Sequence, residues 1–280
     1  MDKILFDAHA HINEESFSEE DRKKLAEAIE ASPVAYVMDG GSNIATSRQA
    51  VRDADTWEWC YAVVGVHPHD AKDLESGAAT LEEIRSLAEH PKVKGIGEIG
   101  LDFYYDNSER DVQRKWFREQ IRMANELSLP IVIHSRDAEQ ETMEILKEEG
   151  AFSRERQSAF PTRKGPDGDE LPDSRVLIHC FSGSRETAEQ YVKLGATISI
   201  CGPVTFRNNR RTVEVAQTIP PEFLTVETDS PYLAPEPKRG RPNMPPYVEY
   251  VARRVAVLKG MSYEDIAAIT CENAKRFYGI

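Results

Sequence analysis

Six of the seven histidines stand where an apolar, extended run ends: Phe6-Asp7-Ala8-His9-Ala10-His11, Gly65-Val66-His67-Pro68-His69, Ile131-Val132-Ile133-His134 and Val176-Leu177-Ile178-His179. His90 alone lies elsewhere. Two further runs end in carboxylates, Gly97-Glu98-Ile99-Gly100-Leu101-Asp102 and Thr225-Val226-Glu227-Thr228-Asp229. Imidazoles and carboxylates together hold divalent ions of intermediate hardness, and one short segment cannot surround an ion by itself. Donors delivered from the tips of many strands therefore imply a metal site on a β/α scaffold, of the kind hydrolases use to activate water.

Such tips need many parallel strands behind them. Runs rich in branched and aromatic residues cover 3–11, 35–41, 61–67, 93–101, 129–134, 175–180, 196–201 and 223–228, eight in all. Between them lie helical patterns: 108–127, where Trp116, Phe117, Gln120, Ile121 and Ala124 recur at three- and four-residue spacing, 137–149, and 184–194 with Ser184 as its cap. Runs such as Ile131-Val132-Ile133 are apolar throughout, as parallel strands covered on both faces require. Eightfold strand-helix alternation is the number that closes a (β/α)8 TIM barrel, here a single α/β domain over 1–280. One stretch breaks the rhythm. Residues 150–174 are polar, rich in turn formers and long for a barrel connection. They join a helix to the next strand, so they are expected as a surface insertion on the face opposite the active site, either a mobile excursion or a partner-docking loop.

With 40% apolar and 30% charged residues the chain can bury a sizeable core, and disorder is not expected. No run reaches signal-peptide or membrane-span character, so a cytoplasmic protein is expected. Cys60, Cys180, Cys201 and Cys271 are widely spaced without a C-x-x-C, which indicates isolated buried thiols rather than a zinc ribbon or disulfides. The net charge of −13 argues against non-specific coating of nucleic acid or anionic membrane. A polyanionic substrate remains compatible, because bound cations and a few arginines reverse the potential inside one cleft.

His9 and His11 share a face of the pleat, and in company with His134, His179, Glu98 and Asp229 they form a candidate ligand set. Glu98 has two oxygens and can bridge two ions about 3.5–4 Å apart. The set suits zinc, manganese or cobalt, with magnesium also admissible. Asp229 would accept or align the proton of an attacking water, beside Glu98 as bridge. Glu227 shares the face of Asp229 and is a candidate either for an additional, third ion or for orienting a ligand. Asp102, His67, His69, Arg136, Ser182 and Arg207 are candidate substrate contacts. Asp102 could equally cap the next turn, and His67 or His69 could be hydrogen-bonded rim residues. Further cations follow strand ends at Arg185, Arg210, Arg211, Lys238, Arg239 and Arg241, and many of these could simply be solvated helix-start charges. Tyr104 and Tyr105 could stack on a base or pack their loop.

The motifs around His9, His67, Glu98, His134 and His179-Cys180-Phe181-Ser182-Gly183-Ser184, with Glu227-Thr228-Asp229-Ser230-Pro231-Tyr232-Leu233 and the closing Glu272-Asn273-Ala274-Lys275-Arg276-Phe277-Tyr278-Gly279, resemble those of TatD-type metal-dependent deoxyribonucleases. These belong to the amidohydrolase superfamily of TIM barrels. The resemblance covers essentially the whole chain. It implies a metal-binding role for His9, His11, Glu98, His134, His179 and Asp229, and a cytoplasmic nuclease that removes nucleotides from DNA ends. Two departures are visible: the length of 150–174, and Pro242 and Met244 where Arg and Glu are common. A two-ion phosphodiesterase is the first expectation. The same centre could instead serve an amidase, a lactonase or a D-aminoacyl-tRNA deacylase. Nothing in the sequence announces an obligate partner, and a monomer is the default.

Overall fold

The computed structural model describes residues 2–280. Its strands are β1 (Leu5–Ala10), β2 (Val34–Gly40), β3 (Cys60–Val64), β4 (Val93–Asp102), β5 (Ile131–Arg136), β6 (Arg163–Lys164), β7 (Glu170–Leu171), β8 (Val176–Ile178), β9 (Thr197–Ile200) and β10 (Leu224–Val226). Eight of them form one parallel sheet in the order β1-β2-β3-β4-β5-β8-β9-β10, wrapped by helices as a TIM barrel. The ladder does not join β10 to β1. That seam is spanned by Thr228 N–H donating to Asp7 Oδ1 (2.8 Å), Asp229 N–H to the His9 carbonyl (3.0 Å) and His11 N–H to the Ser230 carbonyl (2.7 Å). No helix among the described residues is long and apolar enough to cross a membrane.

Burial follows the two-layer logic of the barrel. The larger apolar cluster lies between strands and helices and includes Leu5, Ile96, Ile131, Phe117 and Ile121. A smaller one gathers Phe6, Met38, Val63, Val132 and Leu177 from five strands against Phe277 and Tyr278 of the helix Tyr263–Tyr278, which closes that end. Tyr278 donates its hydroxyl to the Ala8 carbonyl at 2.9 Å.

The expected helix over 108–127 is Arg110–Glu126, with Phe117, Gln120, Ile121 and Ala124 buried. Its buried glutamines position strand tips. Gln120 exchanges two hydrogen bonds with the backbone of Val66, and Gln113 two with that of Asp102, so the segment after β3 and the end of β4 are fixed by one helix. Ser184 caps Arg185–Lys193 by accepting from Thr187 N–H, as its position before that pattern indicated. Several strands are shorter than their apolar runs: β3 stops at Val64, β8 at Ile178 and β10 at Val226. The residues beyond take other partners, as His67 N–H does with the Ser42 carbonyl at 2.8 Å.

Residues 150–174 are more than a bare polar loop. They contain the helix Arg154–Ser158 and the antiparallel hairpin β6/β7. Arg156 donates to the carbonyls of Leu129 and Ser174, and Arg163 to that of Ala196, all residues that precede strands. Asp173 is fully buried among Arg175 and Arg276.

Candidate metal centre

Each donor named from the sequence lies in the carboxyl-terminal half of a barrel strand or just beyond it: His9 in β1 and His11 just past it, Glu98 in β4, His134 in β5, His179 after β8 and Asp229 after β10. Parallel strands bring these ends to one mouth, where open α/β architectures bind ligands. Local packing makes room for them. A Cβ on Gly40 would meet the His9 ring at 2.6 Å, so glycine there admits the imidazole. The carbonyl of Gly40 lies 2.7 Å from His11 Nδ1, which leaves Nε2 directed into the centre.

Glu98 is the hub. Its Oε1 lies 2.8 Å from His134 Nδ1, 2.9 Å from His179 Nε2 and 3.4 Å from His67 Nε2. Its Oε2 lies 3.4 Å from His9 Nε2 and 3.6 Å from His11 Nε2. His11 Nε2 in turn is 3.3 Å from Asp229 Oδ1. One carboxylate thus faces two lobes of donors. Three sets of these histidines and carboxylates are compact enough to enclose an ion: His9/His11/Asp229, His9/Glu98/His179 and His67/Glu98/His134.

Charge follows from this crowding. Burial opposes ionisation of Glu98, but His179 and His67 outweigh it and hold the carboxyl well below its usual range. Burial also opposes the charge on His11, yet Asp229 and Glu98 prevail and push it up to about 9. Burial and the nearby His179 press His9 down, so its ring is neutral. His9 is wholly buried and neither ring nitrogen makes a hydrogen bond. Such an orphaned imidazole is costly unless something coordinates it. A neutral buried imidazole, ionised carboxylates and further imidazoles fit divalent ions.

The remaining candidates divide. A cleft of about 700 Å³ above the centre is lined by His67, His69, Asp102, Arg136 and Ser182, but not by Arg207, which is exposed. Asp102 Oδ1 accepts from the N–H groups of Tyr104 and Tyr105, while its Oδ2 lies 2.9 Å from His69 Nε2 and 3.2 Å from His134 Nε2. It therefore both caps a turn and reaches the centre. His67 touches Glu98, a closer place than a rim residue would take, whereas His69 is the rim partner of Asp102. Glu227 is buried behind His179, with Oε1 at 3.2 Å from His179 Nδ1, an orienting contact of the kind that fixes a ligand's tautomer. Among the other cations, Arg185 pairs with Glu186 and Arg239 with Glu236, so these are charge-compensated helix or loop ends. Arg136 makes no ion pair among the described residues. Its guanidinium carbon sits 4.0 Å from the Tyr104 ring centre and 4.7 Å from that of Tyr105.

Sequence reasoning missed two supports. Asp39, fully buried, accepts from Ile12 N–H, Asn13 N–H and Asn13 Nδ2 and so anchors the turn after His11. Its signal was a carboxylate interrupting the apolar run Val37-Met38-Asp39. Tyr232, half exposed on the cleft wall, donates to Glu14 at 2.8 Å and had no spacing signal.

Fold and site together define a metal-dependent hydrolase of the (β/α)8 barrel class. Residues 6–279 match the model of the TatD related DNase family, and the chain belongs to that family. It is 40% identical over 277 residues to the uncharacterized metal-dependent hydrolase YabD of Bacillus subtilis, covering 99% of this chain and 100% of that protein. It is 33% identical over 283 residues to the 3'-5' ssDNA/RNA exonuclease TatD of Shigella flexneri serotype 5b, covering 99% of each. The crystal structure of the TatD homolog YJJV from Escherichia coli superposes with a TM-score of 0.84 at 25% identity over the whole of both chains.

Proposed function

We propose that this hydrolase cleaves phosphodiester bonds at the ends of DNA strands and uses two divalent ions. His9, His11 and Asp229 would hold one ion, His134 and His179 the other, with Glu98 between them. Bound there, divalent ions supply Lewis acidity, making a water nucleophilic at neutral pH and offsetting charge on phosphoryl oxygens. The protein does the rest. Asp229 faces the cleft, where its carboxylate can accept the water's proton. Attack on phosphorus would then break the bond to the nucleoside oxygen, which leaves with the proton that Asp229 took from the water. Glu227 keeps His179 in one orientation throughout.

The observation that carries the substrate class is Arg136, a cleft guanidinium with no carboxylate partner, set against Tyr104 and Tyr105, which are 58% and 54% exposed. An unpaired arginine beside exposed aromatic rings suits a phosphate followed by a base, and a neutral amide requires neither. The single-strand exonuclease named among the relatives supports the same reading.

End-labelled single- and double-stranded DNA, incubated with metal-stripped protein to which magnesium, manganese, zinc or cobalt is restored separately, tests it. Stepwise shortening that requires the ion is expected. Glu98→Ala should lose at least about a hundredfold in rate, beyond the about 10–100-fold typical of an outer partner, together with bound metal. A rate confined to acyl substrates in a parallel panel would overturn the assignment.

A further inference from the structure

The four cysteines read as isolated along the sequence, yet two of them meet in the fold. Cys180 follows β8 and Cys201 follows the neighbouring β9, and both line the cleft. Their sulfur atoms and one carboxylate oxygen of Glu227 all lie within 4.8 Å of one another. Cys60 and Cys271 belong to no such group among the described residues.

Glu227 gives this cluster its direction. Its Oε1 accepts from the Cys180 N–H and faces His179 Nδ1. Its Oε2, on a side chain wholly removed from solvent, has no hydrogen-bond partner. A buried carboxylate oxygen without a partner is expensive, and one oxygen of this carboxylate stands within 4.8 Å of two thiol sulfurs. Cys201 offers its S–H to the Thr228 carbonyl at 3.2 Å, a weak bond that is cheaply exchanged. Around a tetrahedral ion bound to sulfur at about 2.3 Å, neighbouring donors stand about 3.8 Å apart. Shifts of about an ångström at three side chains would bring them there, and the two cysteines already line the cleft.

We propose that Cys180, Cys201 and Glu227 form a separate cation site, selective for a thiophilic ion such as zinc. Two sulfurs and one oxygen disfavour magnesium and manganese, whereas the histidine and carboxylate centre accepts ions of intermediate hardness. The sites are joined through Glu227, because an ion bound by this carboxylate also sets the orientation of His179. The proposal stands on these side chains and not on the choice of substrate.

Cobalt(II) titration of the reduced, metal-stripped full-length protein reads it directly. Thiolate ligation gives a near-ultraviolet sulfur-to-cobalt charge-transfer band that histidine and carboxylate ligation does not. The expected result is such a band in the parent protein, saturating at one equivalent for that band. It should weaken to about half in Cys201→Ser and vanish in the Cys180→Ser, Cys201→Ser double variant, while the visible bands of nitrogen- and oxygen-bound cobalt persist. No charge-transfer band at saturating cobalt, or a band retained in the double variant, would overturn the site. If the variants fail to fold, alkylation of the parent protein mapped by mass spectrometry decides. Cobalt should protect Cys180 and Cys201 several-fold, and equal labelling with and without it counts against the proposal.

Discussion

His11 carries a proton that any ion must displace. Its imidazolium is held up to about 9 by Asp229 and Glu98 against the opposing effect of burial, and its Nε2 can coordinate only after losing that proton. Loading near neutral pH should therefore release at least one proton, and apparent affinity should climb with pH until about 9 is passed. Calorimetric loading in buffers of different protonation enthalpy measures this, and a heat independent of buffer would refute it. The residues that converge at the mouth of the barrel were legible because each stands in or just after its own apolar run, a local pattern. The place of His67 was not. Whether it forms the rim or touches Glu98 depends on Gln120, held by another element, fixing the backbone at Val66. The meeting of Cys180 with Cys201 was hidden for a similar reason, since it follows from the lateral order of strands.

At the scale of elements, the segment between the helix Glu139–Glu148 and β8 shows how far polarity misleads. Its composition reads as solvated loop, but Arg156, Arg163 and Asp173 are among the most buried charged residues of the chain. Burial of an arginine is decided by the carbonyls and carboxylates it finds in the folded state, which composition cannot reveal. Burial draws Arg156 and Arg163 down to about 9, while Asp173 answers Arg175 and Arg276. Removing that carboxylate leaves buried guanidinium groups unpaired, so Asp173→Ala should cost about 3–5 kcal/mol in unfolding free energy. Denaturant melts measure the loss. These contacts lie at the amino ends of the strands, so turnover per folded molecule should stay unchanged. A destabilisation below about 1 kcal/mol would mean the cluster is solvated in solution.

For the whole molecule, alternation of strand and helix sufficed to identify the barrel, because eight repeats leave few ways to bury both faces of a parallel sheet. An acidic surface and a cleft served by Arg136 coexist in it, since long-range charge and local contact act over different distances. The barrel also has a weak point: β1 and β10 meet without a ladder, and the bonds across that gap join residues far apart in the chain, 221 positions in the case of Asp7 and Thr228. His9 and His11 stand on one side of the gap and Asp229 on the other. A cation shared by those three would act as a clasp on a hoop, closing nearly the entire chain into a loop much as a covalent cross-link does, and stabilising by mass action only the closed form. Stripping the ions should then quicken amide hydrogen exchange first in β1 and β10. A uniform rise over all eight strands would mean that the hoop holds without its clasp, and that the ions serve chemistry alone.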